Sequence, residues 1–213
     1  MSARATESSL FSAQELRRRA AAQELEARPD LYGDHRLNPD IAQLLLRSRL
    51  HDAAVLVPVV DHGEEGTVIL TQRSANLRSH SGQIALPGGR IDDADPSPEA
   101  AALREAQEEI GLDPAHVEIV ARMPDYVTGS GYRIRPVIGV VRPGFTLRLN
   151  PQEVEAAFEV PLSFLMDPAN HRRESRIWQE RERFYYTMPY GERFIWGVTA
   201  GILHMLYERL YAR

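Results

Sequence analysis

A short helix with complete boundary signals, residues 97 to 111, is the feature that most constrains the fold of this chain. Ser97 is a typical N-cap residue, because its hydroxyl accepts a hydrogen bond from a free backbone amide of the first turn. Pro98 follows at the first helical position, with Glu99 behind it, where a negative charge favours the helix dipole. Gly111 comes just after the last apolar residue, where many helices end in the left-handed conformation. The spacing predicts one helix over 98–110.

The C-terminal half of this helix, which reads REAQEEIGL, carries three glutamates within five positions: Glu105, Glu108 and Glu109. At about 100° per residue they share a stripe about 100° wide. The apolar residues lie on nearly the opposite side: Leu103, Ala106 and Ile110. Like charges four positions apart repel on a helix by roughly a few tenths of a kcal/mol. Either water and Arg104 offset this repulsion on a solvated acidic face, or a cation binds to the stripe.

The loop before the helix favours the cation. In LPGGRIDDAD, Gly88 and Gly89 follow Pro87 where the chain turns towards the carboxylates. Glycine is used where the backbone approaches a ligand closely or takes a positive φ. Carboxylate oxygens on a rigid helix suit Mg²⁺ or Mn²⁺, and Mg²⁺ leaves places for substrate phosphates. Cysteine is absent and only His116 is near the helix, so the stretch does not predict a zinc site.

Composition argues against several classes of protein. With 213 residues, 43% hydrophobic and 26% charged, the chain suits one globular domain with additions at its ends. No run of about 18 apolar residues predicts a membrane span, and the N-terminus has no stretch of the signal-peptide type. The net charge of −5 argues against a general nucleic-acid binder. We therefore expect a cytoplasmic protein with no nucleic-acid or membrane partner, and its oligomeric state stays open.

The remaining pattern predicts strands and helices in mixed order. Two apolar stretches that flank DHGEEG, 53–60 and 67–73, predict a hairpin. Further strands are expected at 117–128, 133–141 and 183–188, and 153–162 is expected to be a strand that leads into a short helix. Further helices are expected at 12–28, 41–50 and 194–211. This order is typical of the α+β class or of an α/β sandwich. We expect an N-terminal helical arm over 1–50 and the main domain over 51–213.

The two glycines followed by REAQEEIGL resemble the signature box of the Nudix hydrolases, written G-x5-E-x7-R-E-U-x-E-E-x-G-U with U apolar. The residues that match in order are Arg104, Glu105, Ala106, Glu108, Glu109, Gly111 and Leu112. The front half departs from the pattern, because the box glutamate falls on Pro96 and the box glycine on Arg90. One extra residue restores the register, with Gly89 as the glycine and Asp95 as the acid.

The resemblance implies an α/β/α sandwich with a mixed sheet and helical additions at both ends. It also implies metal-dependent hydrolysis of a nucleoside diphosphate linked to another group. Carried over by position, Glu105 and Glu109 are implied as ligands of Mg²⁺ or Mn²⁺, and Glu108 adds a ligand or orients one. Arg104 is implied to hold the glutamates through charge-assisted hydrogen bonds. Glu153, in a segment that also resembles the family, is a further candidate ligand or general base, or else a surface glutamate.

A second motif lies upstream, in ILTQRSANLRSHSGQIALPGG (69–89). It resembles the motif of the coenzyme A pyrophosphatase branch of the Nudix family, L-L-T-x-R-[SA]-x3-R-x3-G-x3-F-P-G-G, with departures at Ile69 and Leu86. The matching residues are Leu70, Thr71, Arg73, Ser74, Arg78, Gly82, Pro87, Gly88 and Gly89. Arginine forks match phosphate oxygens bidentately, and coenzyme A carries one phosphate more than ADP-ribose does.

This second resemblance implies hydrolysis of coenzyme A, or of a thioester of it. The products would be adenosine 3′,5′-bisphosphate and 4′-phosphopantetheine or its acyl form. The candidate substrate-binding residues are then Arg73, Arg78, Gly82, Gly88 and Gly89. Two alternatives stay open: a Nudix enzyme for another substrate such as ADP-ribose, and a non-catalytic module that senses a nucleotide.

Overall fold

The structure, a computed structural model, describes residues 10–23, 32–42, 45, 49–77, 79–178 and 180–212. The α-helices in these ranges are α1 (Ala13–Ala21), α2 (Pro98–Ile110), α3 (Leu162–Leu165) and α4 (Gly197–Leu210). The strands before α2 are β1 (Tyr32–Gly33), β2 (His51–Asp61), β3 (Gly66–Arg73), β4 (Ile84–Ala85) and β5 (Gly88–Arg90). The strands after α2 are β6 (Val117–Arg122), β7 (Tyr126–Val127), β8 (Tyr132–Val141), β9 (Val154–Pro161), β10 (Arg172–Trp178), β11 (Arg181–Tyr190) and β12 (Arg193–Trp196). No helix in the described ranges is long and apolar enough to cross a membrane.

The described strands form a mixed main sheet and a smaller antiparallel sheet. The main sheet has the order β1-β7-β8-β2-β3-β4, and β5, β6 and β9 pair with β2, β8 and β3. β2 and β8 are parallel, from His51 opposite Tyr132 to Val60 opposite Val141. β3 is antiparallel to β2, β4 and β9. The smaller sheet has the order β10-β11-β12.

Alternate residues of β2 point to opposite sides of the main sheet, which gives the molecule two hydrophobic cores. Leu56 and Val60 pack with Ile110 of α2 on one side. Val57 packs with Leu203 of α4 in the core on the other side. All five side chains are fully buried, and each contributes about 1.5–3 kcal/mol to folding. The arrangement confirms the predicted α/β/α sandwich with a mixed sheet.

The predicted boundary signals of α2 act as expected. Ser97 has extended backbone angles, and its Oγ accepts a hydrogen bond from the amide of Ala100 at 3.2 Å. Gly111 closes the helix in the left-handed conformation with a φ of 67°. The predicted hairpin is also confirmed, as β2 and β3. The N-terminal helix begins after Ser12 as predicted, but it ends at Ala21, earlier than expected.

The C-terminal segment differs from the prediction of a single helix over 194–211. Residues Arg193–Trp196 form β12, and the helix begins only at Gly197, whose φ of 62° breaks the backbone path between the two elements. The apolar pattern does not mark this break, because Ile195 before it and Leu203 after it belong to the same core. β10 was not predicted, since most of its residues are exposed. The helix predicted over 41–50 lies half outside the described residues, which lack 43, 44 and 46–48.

The loop between β3 and α2 is mostly irregular, as predicted, and its last part is held against the main sheet. β5 is antiparallel to β2, with Gly88 opposite Val55 and Gly89 opposite Ala54. The amide of Gly88 reaches the carboxylate of Glu109, so this pairing sets the two glycines beside the C-terminal half of α2.

Candidate active site

Glu109 is the most buried carboxylate of α2, with a side chain only 4% exposed. Its Oε2 accepts a hydrogen bond from the amide of Gly88 at 3.1 Å. Gly88 has a φ of 154°, and a β-carbon at this position would lie 2.4 Å from the carbonyl oxygen of Ala54. Only glycine therefore fits between β2 and Glu109, where its backbone amide bonds the carboxylate.

Glu105 faces the second glycine of the loop. A β-carbon at Gly89 would lie 2.5 Å from the carboxyl carbon of Glu105, so no larger residue fits without moving the carboxylate. The Glu105 side chain is 16% exposed, and its Oε1 accepts a hydrogen bond from Nη1 of Arg104 at 2.9 Å. The Pro-Gly-Gly turn thus leaves backbone, and not a side chain, next to each of these two glutamates.

Arg104 joins the loop to the carboxylates. Its Nε and Nη2 donate to the two carboxylate oxygens of Asp95 at 3.0 and 2.9 Å. Its Nη1 donates to Glu105 at 2.9 Å and to Glu108 at 3.2 Å. The hydrogen bonds between Arg104 and Asp95 hold the pKa of Asp95 below its usual range and raise the pKa of Arg104, so both stay charged. Asp95, the acid of the signature box in the restored register, is therefore the partner of Arg104.

The three glutamates do not form one uniform acidic stripe. Glu108 is 56% exposed, whereas Glu105 is 16% and Glu109 only 4% exposed. Glu109 is buried because this side of α2 faces the Pro-Gly-Gly turn, a contact that helical spacing does not reveal. The alternative that the sequence left open, a solvated acidic face, applies to Glu108 alone. We call Glu105 and Glu109 the inner glutamates.

Burial and mutual repulsion both oppose ionisation of the inner glutamates. Burial raises the pKa of Glu109 to about 7, and the neighbouring charges of Glu105 and Glu153 act in the same direction. Burial also raises the pKa of Glu105. The negative charges of Glu108 and Glu153 raise this pKa further. A cation placed among these carboxylates would offset the cost of burying them and their repulsion together.

Glu153 reaches the same site from the residue before β9. Its carbonyl accepts a hydrogen bond at 2.8 Å from the amide of Ser74, the residue after Arg73. The side chain of Asn150 donates to Oε1 of Glu153 at 3.3 Å, and the amide of Asn150 donates to the carbonyl of Glu109 at 2.9 Å. One short turn thus ties Glu153 to α2 and to the end of β3. Sequence reasoning missed Asn150, because it joins segments that meet only in the fold.

Arg73 ends β3 beside the inner glutamates. Its Nη1 lies 3.8 Å from Oε1 of Glu109, which makes an ion pair but is too long for a hydrogen bond. Its Nε is buried and has no hydrogen-bond partner among the described residues. The side chain is 28% exposed. Arg73 therefore has donors available for an anion that enters the site.

The remaining residues of the arginine motif are described in part. Arg78 lies outside the described residues. Gly82 has a φ of 69°, and its amide donates to the carbonyl of Arg73 at 3.1 Å. A β-carbon at Gly82 would meet no protein atom within 4 Å, so its positive φ and not close packing against the protein requires glycine here. The amide of Arg73 in turn donates to Gln83 at 2.9 Å, which closes the loop 74–83 at its base.

A family model of the NUDIX domain matches residues 50–185 of this chain. The chain belongs to the Nudix hydrolase family. NudL of Escherichia coli strain K12, an uncharacterized Nudix hydrolase, is 39% identical over 170 residues, which cover 80% of this chain and 87% of NudL. NudL of Shigella boydii serotype 4 (strain Sb227) shows the same identity and coverage.

Two solved structures are similar to this Nudix hydrolase. A MutT/nudix family protein from Enterococcus faecalis is 16% identical with a TM-score of 0.46, over 98% of this chain and 74% of that protein. The NUDIX domain of Shewanella oneidensis NrtR, in complex with ADP ribose, is 22% identical with a TM-score of 0.43. That match covers 55% of this chain and 77% of the NrtR domain.

Nudix hydrolases generally use divalent metal ions, and the inner glutamates carry the oxygen donors that such ions prefer. Among the described residues, no three or more His, Asp or Glu side chains are arranged to hold a metal ion. One carboxylate oxygen of Glu105 accepts a hydrogen bond from Arg104, and one of Glu109 accepts a hydrogen bond from the amide of Gly88. Two carboxylates would suit Mg²⁺, since water and substrate phosphates usually provide its other ligands.

Proposed function

We propose that this Nudix hydrolase cleaves the diphosphate bond of coenzyme A, or of a thioester of it, with Mg²⁺ or Mn²⁺ as cofactor. The products are adenosine 3′,5′-bisphosphate and 4′-phosphopantetheine or its acyl form. The observation that carries the proposal is the position of Arg73, which matches the coenzyme A motif. Its guanidinium stands 3.8 Å from the buried carboxylate of Glu109 and keeps a donor without a partner in the described part of the chain.

The chemistry of the guanidinium supports a phosphate at this position. Arginine presents five donors in a planar fork that pairs with two phosphate oxygens at once. The contact between Arg73 and Glu109 is electrostatic and occupies none of these donors with a hydrogen bond. A diphosphate held near the inner glutamates therefore finds a cation whose hydrogen-bonding capacity is still free.

The length of the arginine motif supports coenzyme A over a smaller nucleoside diphosphate. Coenzyme A carries a 3′-phosphate besides its diphosphate, so it needs additional cationic contacts. The sequence places Arg78 in the loop 74–83, whose last residues, Gly82 and Gln83, are hydrogen-bonded to the backbone of Arg73. The loop therefore offers a second arginine close in sequence to the one at the inner glutamates.

In this proposal the carboxylates of α2 hold the metal ion. Glu105 and Glu109 bind it from inside the site, and Glu108 contributes from the rim. When bound, the ion lowers the pKa of the attacking water and offsets the negative charge of the diphosphate. Arg104 keeps Glu105 in position through its hydrogen bond, and Gly89 keeps the space in front of that carboxylate free of a side chain.

Glu153 is the proposed general base. Its charge acts on both inner glutamates, which supports a position inside the site. Asn150 holds one carboxylate oxygen of Glu153 at 3.3 Å, and the other oxygen bonds no side chain in the described ranges. That second oxygen can accept a proton from the attacking water.

Incubation of the protein with coenzyme A and Mg²⁺ or Mn²⁺, with products identified by mass, tests the function. We expect adenosine 3′,5′-bisphosphate and 4′-phosphopantetheine in equal amounts, and neither product in chelator or with Glu105→Gln. ADP-ribose and a dinucleotide are run in the same assay. Faster cleavage of either compound than of coenzyme A would overturn the substrate assignment. Binding without cleavage of any compound would identify a nucleotide-sensing module.

A further inference from the structure

The small sheet of β10, β11 and β12 packs one side against α4, and its other side, which we call the open side, is exposed at Arg176, Trp178 and Arg181, although Thr187 on that side is buried. On the packed side, Met188 and Ile195 are fully buried, and Tyr186 stacks on His204 of α4 with ring centroids 3.9 Å apart. The packed side therefore already supplies the hydrophobic contacts that hold this sheet to the molecule. The aromatic residues of the open side are therefore not needed for these contacts.

The open side carries a guanidinium surrounded by three aromatic rings. The guanidinium carbon of Arg176 lies 5.4 Å from the ring of Trp178, 5.9 Å from Tyr185 and 4.8 Å from Trp196. Tyr185 and Trp196 contact each other edge to face, with centroids 5.4 Å apart. We call these four residues the aromatic face. Trp178 is 55% exposed, so the face is open to solvent although its rings are large and apolar.

The charge of the aromatic face is not neutralised within the sheet. Arg181 and Arg183, on the same side as Arg176, share the single carboxylate of Asp40. No carboxylate among the described residues forms an ion pair with Arg176, and Glu174, on the same side of β10, accepts a hydrogen bond from Thr187 at 3.1 Å instead. An exposed guanidinium among aromatic rings offers its donors to an anion, while the rings offer a stacking surface. The two together fit a ligand that joins a flat base to a phosphate.

The small sheet is fastened to both ends of the arginine loop. Arg193 donates to the side chain of Gln72 at 3.3 Å, and Gln72 precedes Arg73 of the active site. Thr199, shortly after β12, donates to the carbonyl of Ile84 at 3.0 Å, directly after the loop 74–83. Arg193 lies on the side of β12 that carries Ile195, and α4 packs on that side too, so both contacts hold the side of the sheet opposite the aromatic face.

We propose that the aromatic face binds a nucleotide, with the base stacked on the tryptophan rings and a phosphate at Arg176. The identity of this nucleotide rests on the proposed function, which makes it the adenosine bisphosphate end of coenzyme A and of the released product. The face is then a nucleotide site separate from the inner glutamates, on the side of the small sheet that does not pack on α4.

The fluorescence of the protein reports on this face alone, because the chain has two tryptophans and both belong to it. Full-length protein is titrated with adenosine 3′,5′-bisphosphate in chelator, with excitation at the red edge of tryptophan absorption. We expect saturable quenching. Adenosine alone and inorganic phosphate alone should each bind at least about fivefold more weakly, because each lacks one of the two contacts.

Substitutions on the same strand separate a specific site from a general charge effect. Arg176→Gln should raise the dissociation constant at least about tenfold, and Trp178→Leu at least about fivefold. The matched control is Arg172→Gln, an exposed arginine on the same side of β10 for which no ring contact is found in the described part of the chain. It should bind as the wild type does, and circular dichroism checks that each variant is folded. Equal weakening by Arg176→Gln and Arg172→Gln would overturn the proposal.

Two further outcomes separate this proposal from the proposed function. Glu105→Gln should keep the quenching while it loses hydrolysis. Quenching without any cleavage of coenzyme A by the wild type would refute the function and leave the nucleotide site standing. Normal cleavage without quenching would refute the site alone. Fluorescence that depends on protein concentration, with sedimentation showing self-association lost in Trp178→Leu, would make the face an interface between copies and overturn the proposal.

Discussion

Arg104 and Asp95 are joined by two hydrogen bonds, Nε to Oδ1 at 3.0 Å and Nη2 to Oδ2 at 2.9 Å. This bidentate pair fixes the guanidinium plane, so that the remaining nitrogen of Arg104 points at Glu105 and Glu108. The loop before α2 thus controls the carboxylates of α2 through one arginine. The side chain of Asp95 is only 7% exposed, which protects the pair from water.

Asp95→Asn should therefore lower kcat by about tenfold to a hundredfold without unfolding the protein, because a loosened Arg104 no longer holds Glu105 in place. The metal concentration for half-maximal rate should rise, whereas a purely structural defect would lower the melting temperature instead. The matched control is Asp92→Asn. Asp92 lies 3.8 Å from the same guanidinium but is 67% exposed. Equal losses in both variants would contradict the positioning role of Asp95.

The inner glutamates and the rim glutamate should differ in their effects on catalysis. Glu105→Gln and Glu109→Gln should each lower kcat at saturating Mg²⁺ by at least about a hundredfold, because electrostatic stabilisation is usually the largest contribution to such chemistry. Glu108→Gln should cost less, since Glu108 is 56% exposed and lies at the rim. Near-normal turnover by either inner variant would show that the metal assignment is wrong. Thermal unfolding confirms that each variant is folded.

The helix that carries these glutamates could be predicted because its boundary signals are local. The oxygen of Ser97 and the left-handed angles of Gly111 act within the helix ends themselves. The burial of Glu109 could not be predicted, since it depends on Gly88 and Arg73, which are distant along the chain. Helical spacing shows which residues share a side of a helix, but it does not show what that side faces.

The same limit explains what the sequence left undecided at the edges of the site. The restored register identified Asp95 as the acid of the box, but its bond to Arg104 appears only in the folded loop. Asn150 belongs to no motif, although it links Glu153 to α2. Motif spacing identifies groups that perform chemistry, whereas the residues that orient them are determined by tertiary contacts.

A pH prediction concerns His171 and His204, whose Nδ1 atoms lie 2.9 Å apart. His204 belongs to α4, and His171 follows a short 3-10 turn. His171 donates from Nε2 to the carbonyl of Leu165 at 2.7 Å, so its Nδ1 accepts from His204. Burial lowers the pKa of His171, although the charge of Asp167 acts against it. Burial also lowers the pKa of His204, with Glu208 raising it and His171 lowering it further.

A lowered pKa in the folded state means that the unfolded chain takes up protons first as the pH falls. The stability from this pair is therefore present above about pH 6.5 and is lost below it. We expect the free energy of unfolding to decrease between about pH 7.5 and 5.5, and to decrease less in His171→Asn. His51→Asn is the control and should leave the decrease unchanged, because His51 is exposed and no carboxylate pairs with it in the described ranges. Denaturant titrations at each pH measure it, and identical pH dependence in all three proteins would contradict the prediction.

The last prediction concerns what Arg73 binds. If its fork holds the diphosphate beside Glu109, Arg73→Ala should lower kcat/KM. The lost transition-state stabilisation should be about 1.5–3 kcal/mol, which is typical of hydrogen bonds to charged groups. Arg73→Lys should recover only part of this loss, since a point charge cannot replace a bidentate fork. The loss should be the same for coenzyme A and dephospho-coenzyme A, because both contain the diphosphate. Arg18→Gln is the control, because Arg18 lies on α1 with a side chain that is 66% exposed, and it should change the rate on neither substrate. A loss confined to coenzyme A would instead assign Arg73 to the 3′-phosphate, and wild-type rates on both substrates would remove it from the substrate site.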